Sequence, residues 1–199
     1  EPVTPYTLPG ASLSVEASVA NPATPDGAGK VTVSWDPADA NGSEIISYTV
    51  TADPGGETCT TTDSTSCIVD GLAGGIAYTF TVKARNEVGF GAASEPYPTP
   101  PATLTPYTVP GAPLLVGASI AALVTPEGAG KVTVSWDPAD ANGSPITDYT
   151  VTADPGDKTC TTTETSCIVG GLDNGTAYTF TVKATNEAGE GVESEESAS

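Results

Sequence analysis

The sequence predicts an all-β protein made of two antiparallel β-sandwiches in tandem, joined by a proline-rich linker. Three observations predict it. First, a block of sequence is duplicated: Gly27–Ser43 (GAGKVTVSWDPADANGS) returns unchanged as Gly128–Ser144, 101 positions later. A repeat of that length is too long for a solenoid unit and has the size of a domain. Second, apolar residues within each copy alternate with polar ones, the period of half-buried strands. Third, the 22 glycines and 18 prolines sit among abundant Thr, Val and Ser, while Leu, Lys, Arg and Gln are scarce, so helix formers are few.

The strands are read in chain order. In Lys30–Asp36, Val31, Val33 and Trp35 share one face and Thr32 and Ser34 the other. Tyr48, Val50 and Ala52 alternate with Thr49 and Thr51. In Ala77–Arg85, Tyr78, Phe80, Val82 and Ala84 point one way and Thr79, Thr81, Lys83 and Arg85 the other. Turn signals separate these runs at Asn41-Gly42, Asp53-Pro54-Gly55, Asp70-Gly71, Gly74-Gly75 and Asn174-Gly175. Trp35 and Trp136 lie in phase with valines and are assigned to the core. Tyr78 and Tyr178 follow Leu72 and Leu172 by six residues, the placement of a tyrosine whose hydroxyl ties a strand to the preceding loop.

The predicted boundaries are an N-terminal linker-like segment at 1–8, a first domain at 9–97, a linker at 98–108 and a second domain at 109–199. The join carries Pro96, Pro98, Pro100, Pro101, Pro106, Pro110 and Pro113, a density that favours a stiff extended spacer rising about 3.1 Å per residue. Thr4–Gly10 (TPYTLPG) matches Thr105–Gly111 (TPYTVPG), so the chain opens with a linker of the same type and is read as part of a longer array or a polymerising unit. No signal-peptide pattern opens the chain, which is read as a mature or excised segment.

Each copy also resembles a fibronectin type III domain. The resemblance rests on the Pro-Gly-Ala opening (Pro9–Ala11, Pro110–Ala112), on Val-Ser-Trp and Tyr-Thr-Val, and on a long closing motif. That motif, Gly-Leu-x-x-Gly-x-x-Tyr-x-Phe-x-Val-x-Ala-x-Asn-x-x-Gly-x-Gly, runs from Gly71 to Gly91 and from Gly171 to Gly191. The resemblance implies an immunoglobulin-like sandwich, with strands A, B and E in one sheet and C, C′, F and G in the other. Its Thr-rich strands resemble bacterial secreted members.

Four cysteines fall as one pair per copy, Cys59 with Cys67 and Cys160 with Cys167. Of the three pairings they allow, the one inside each copy is favoured because each copy carries a complete pair. On the implied strand order such a bridge joins C′ to E, an addition to the ordinary family pattern. Disulfides imply an oxidising compartment, hence a secreted or cell-surface protein.

Function classes are narrowed by what the residues can do. The net charge of −19, from 25 acidic and 6 basic residues, repels nucleic acid and anionic membranes. There is no His and one Arg, which removes His-dependent nucleophiles and His-ligated metals, so no enzyme activity is expected. No cofactor is expected. Asp36, Asp39 and Asn41, with Asp137, Asp140 and Asn142, are weak Ca²⁺ candidates whose spacing misses the EF-hand pattern, and a turn is the favoured reading. Asn41, Asn142 and Asn174 each open an Asn-Gly-Ser/Thr triplet that fits the N-glycosylation pattern. Phe90, replaced by Glu190 in the second copy, is the candidate interface residue, and no Arg-Gly-Asp triplet occupies its loop.

The expected function is a non-catalytic structural or adhesive spacer of a surface protein or filament, with protein partners, like subunits or glycans. The alternatives are a carbohydrate- or protein-binding module of a secreted hydrolase, or a virion decoration or tail component.

Overall fold

A computed structural model of the chain describes residues 5–20, 28–99, 102–120 and 130–198. Residues 1–4 of the leader and Pro100 and Pro101 of the linker therefore lie outside the described residues. The chain divides into two compact units, Glu1–Thr108 and Val109–Ser199.

The first unit contains β1 (Leu13–Val19), β2 (Gly29–Asp36), β3 (Ser47–Asp53), β4 (Thr58–Thr61), β5 (Ser66–Leu72), β6 (Thr79–Arg85) and β7 (Phe90–Ala93). They pair antiparallel as one sheet in the order β1-β2-β5 and another in the order β4-β3-β6-β7. These are the sheets implied by the family resemblance. The second unit repeats the plan with β8 (Leu114–Ile120), β9 (Gly130–Asp137), β10 (Asp148–Asp154), β11 (Lys158–Thr162), β12 (Ser166–Leu172), β13 (Thr179–Asn186) and β14 (Gly189–Glu190). Its sheets are β8-β9-β12 and β11-β10-β13-β14.

Alternation places the core between the layers. Along β2, Val31, Val33 and Trp35 are buried while Thr32 and Ser34 are half-exposed, and β6 buries Phe80, Val82 and Ala84 against them. The second unit builds a separate core around Val134, Trp136, Phe180 and Val182. Each tryptophan stacks obliquely on a tyrosine of the opposite sheet, Trp35 on Tyr48 and Trp136 on Tyr149, both with ring centroids 5.4 Å apart. Tyr78 and Tyr178 form the expected corner: the Ala73 N–H donates to the Tyr78 hydroxyl at 3.1 Å and the Asp173 N–H to that of Tyr178 at 2.9 Å.

Cys59 is bonded to Cys67 and Cys160 to Cys167, with Cα atoms 6.2 and 6.4 Å apart. Because β4 and β5 lie in different sheets, each bridge closes the crossover between layers.

Two local expectations change. Asp70-Gly71 is not a turn. It lies inside β5, where the pairing with β2 slips between Gly29 and Val31 and Gly71 takes φ +80°, so the glycine makes a bulge. A positive φ serves either feature, and the strand continuing through Leu72 decides between them. At this bulge Asp70 pairs with Lys30 at 2.9 Å, and the hydrogen bond from Lys30 holds the exposed Asp70 carboxyl below its ordinary value. The second repeat has Gly170 there instead.

Residues 98–108 are likewise not wholly a free spacer. Tyr97 bridges Phe80, and Leu104 bridges Tyr78 and packs against the first core. The extended backbone that prolines favour suits pairing with a free sheet edge, and the Leu104 side chain adds core contact.

Candidate interaction surface

The loop end of the first repeat gathers three segments: the leader Pro5–Pro9, the β2–β3 loop and the β6–β7 turn. The β2–β3 loop turns at Asn41-Gly42. Both residues take positive φ, +48° and +87°, and the Ser43 N–H donates to Ala40 O at 3.1 Å, the arrangement Asn-Gly adopts most readily. Asp39 Oδ1 accepts the Asn41 N–H at 2.9 Å, and Asn41 Nδ2 donates to Leu8 O at 2.8 Å, pinning the leader to the loop. The second repeat does the same with Asp140, Asn142 and Val109 O, at 3.0 and 2.8 Å.

The weak calcium candidates are thus employed in building a turn. Asp39 and Asn41 are brought together for that purpose, while Asp36 and Asp137 sit exposed at the ends of β2 and β9. Among the described residues no three His, Cys, Asp or Glu side chains gather as a metal cluster. The side-chain nitrogens of Asn41 and Asn142, the atoms a glycan would need, are held by the leader carbonyls; Asn174 lies in an exposed turn before Gly175.

Sequence reasoning missed the residue that organises this end. Asn86 is 1% exposed, its Nδ2 donates to Thr7 O at 2.7 Å, and its Oδ1 accepts the Val88 N–H at 3.0 Å. It shapes the β6–β7 turn and straps the leader across it. Asn186 shapes its own turn through Ala188 N–H at 2.8 Å and donates to Ala141 O at 3.0 Å. The signal was present as the asparagine of the closing motif. The last glycine of that motif has a packing cause: Gly91 lies against the Pro9 carbonyl, and Gly191 against that of Pro110, too closely for any Cβ. Replacing Asn86 with alanine is expected to lower the stability of the first repeat by about 1–2 kcal/mol, because it removes the bonds that the buried side chain makes to Thr7 O and to the Val88 N–H. Urea unfolding measures the loss, and limited proteolysis should report release of the leader.

Phe90 is 51% exposed and stands opposite Arg85 in the β6–β7 ladder, with the Arg85 guanidinium carbon 5.5 Å from its ring centroid, a cation–π stack. Tyr6, Leu8, Ile46 and Val88 are also exposed at this end. Tyr6, Ile46 and Glu87 border an open hollow of about 410 Å³. The second repeat lacks the apolar Ile46, Val88 and Phe90, which become Thr147, Ala188 and Glu190, and the stacking Arg85, which becomes Thr185. The patch therefore belongs to the first repeat alone.

Comparison with known proteins assigns the family. The fibronectin type III domain family matches residues 21–100 and again 122–199. The chain belongs to the fibronectin type III family. Among curated proteins, it is 32% identical over 165 residues to Chitinase A1 of Niallia circulans, a match covering 81% of this chain and 22% of that protein. It is also 32% identical over 130 residues to Fibronectin type III domain-containing protein 7 of Mus musculus, covering 64% of this chain and 16% of that protein. The chain thus spans under a quarter of the length of either relative. Among solved structures, the FN1-FN3 domains of chicken CNTN1 superpose with a TM-score of 0.52 at 22% identity, covering 96% of this chain and 67% of that one, an agreement in fold.

Proposed function

We propose that the chain is a non-catalytic spacer segment of a secreted or cell-surface protein, whose work is to hold other parts at a distance. The observation that carries this reading is repetition of a self-contained unit: each sandwich closes its own core and its own disulfide, and the residues after the first are bonded down onto it. Disulfides support export. A surface of net charge −19 keeps such a segment soluble and disfavours self-association. Small-angle scattering of the full chain should give an extended two-domain particle of persistent shape; a collapsed or freely flexing pair overturns the reading.

A second reading is favoured by the match to Chitinase A1 together with the exposed Tyr6 and Phe90: an accessory module that contacts polysaccharide or protein beside a secreted hydrolase. Aromatic rings with accessible faces are what such contact needs. Sedimentation of the chain with insoluble chitin and cellulose tests it. Retention that is lost in Phe90→Ala supports the module, and an unbound wild-type chain removes it.

A further inference from the structure

We infer that the second repeat carries an open groove for the opening segment of another repeat, an aliphatic-Thr-Pro-Tyr peptide, and that a second copy of this chain supplies it through Val3–Tyr6.

The first repeat displays the groove filled. The Tyr78 N–H donates to Leu104 O at 2.8 Å, the Leu104 N–H to Tyr78 O at 2.9 Å, and the Gly75 N–H to Pro106 O at 3.0 Å. The Leu104 side chain packs on the core. Pro106 covers Gly29, where a Cβ would lie 3.1 Å from the proline ring. Beneath this cover Gly29, Val31 and Tyr78 are all buried.

In the second repeat no described residue occupies the matching place. Gly130, Val132 and Tyr178 are the same residue types at the same positions, yet each is only half-buried. Ile120 takes the place of half-buried Val19 and is 82% exposed. Among the described residues, the backbone N–H groups of Tyr178 and Gly175 have no hydrogen-bond partner matching those of Tyr78 and Gly75. Ile120, Gly130, Leu172 and Tyr178 border a cleft of about 230 Å³. An unpaired strand edge beside an apolar cleft is the kind of site that takes an added strand.

The sequence identifies the occupant. The segment in the filled groove is Leu104-Thr105-Pro106-Tyr107, and the chain carries one other copy of this pattern, Val3-Thr4-Pro5-Tyr6. A junction using the leader of one copy and the groove of the next is heterologous, so it propagates head to tail. The inference goes beyond the spacer reading, which needs no groove and survives its failure.

The test uses the full chain in about 0.5 M NaCl, where repulsion between acidic copies is screened. Val3→Asp spoils the leader, and Ile120→Asp spoils the groove at a position too exposed to threaten folding. Sedimentation equilibrium should show wild-type mass rising with concentration while each variant stays monomeric. An equimolar mixture of the two should form a 1:1 pair and nothing larger, since one retains the groove and the other the leader. In amide NMR, a synthetic peptide of residues 102–111 should shift Gly130, Gly175 and Tyr178. Its Leu104→Asp version should bind roughly tenfold more weakly, as expected for losing the packing of one partly buried leucine. Wild-type chain that stays monomeric and ignores the peptide overturns the inference. So does association that survives both substitutions, or peptide shifts confined to Gly29, Gly75 and Tyr78.

Discussion

Replacing Trp35 with alanine is expected to destabilise the first repeat by about 3–5 kcal/mol, the range for truncating a large buried aromatic. Trp35 is 5% exposed and braces the two layers by lying against Tyr48. Its removal takes away apolar contact on both sheets and leaves a void that neighbouring valines, stiff at χ1, cannot fill. Whole domains are stable by only about 5–15 kcal/mol, so the loss is a large share of the total. The second repeat should be unaffected, because its core is a separate cluster with no shared partner. Each repeat has one tryptophan, so in Trp35→Ala the fluorescence reports the second repeat alone. Its guanidinium transition should stay where it is in wild type, while aliphatic NMR signals of the first repeat disappear at lower denaturant. A first repeat that melts at the wild-type midpoint would refute the assignment of Trp35 to the core.

The second large effect concerns the bridges. The Cys59–Cys67 loop has a sequence separation of 8, and closing a loop of that size constrains the unfolded chain by about 2.5 kcal/mol in the chain-entropy account. Cys59→Ser with Cys67→Ser should therefore lower the stability of the first repeat by about that much, with little change in the folded sheets, because both cysteines are only partly buried at the core margin. Reduction of the wild-type chain should weaken both repeats together, since Cys160 and Cys167 have a separation of 7. Thermal unfolding with and without reductant measures this. A double serine variant as stable as the oxidised chain would show that the bridge contributes nothing to folding.

Features that depend on local periodicity were readable in the sequence. Val31-Thr32-Val33-Ser34-Trp35 alternates so regularly that strand, face and core follow from side-chain chemistry alone, and the duplicated blocks locate both sandwiches. The closing motif located Tyr78 and Tyr178, whose hydroxyls reach only as far as the preceding loop. Features that depend on distant chain segments were not readable. Asn86 bonds Thr7, 79 positions away, and the closing motif marks the asparagine without naming the distant carbonyl it bonds. Leu104 reads as one aliphatic residue in a proline-rich stretch until Tyr78 provides an edge for it. Asp70-Gly71 has the composition of a turn, and only the strand pairing across from Gly29 and Val31 reveals a bulge. For the candidate surface, Phe90 was visible as a difference between copies, but its stack with Arg85 emerged from the ladder that sets them opposite each other.

The position of each bridge bears on how two such similar neighbours avoid exchanging parts. Adjacent domains that share long stretches of identical sequence can trade strands during synthesis, because β2 and β9 offer the same GKVTVSWD edge to either partner. A covalent tie spanning fewer than ten residues forms inside its own repeat and fastens one layer to the other there. A swapped arrangement would have to carry the tied crossover along with it, so the tie penalises misassembly as well as unfolding.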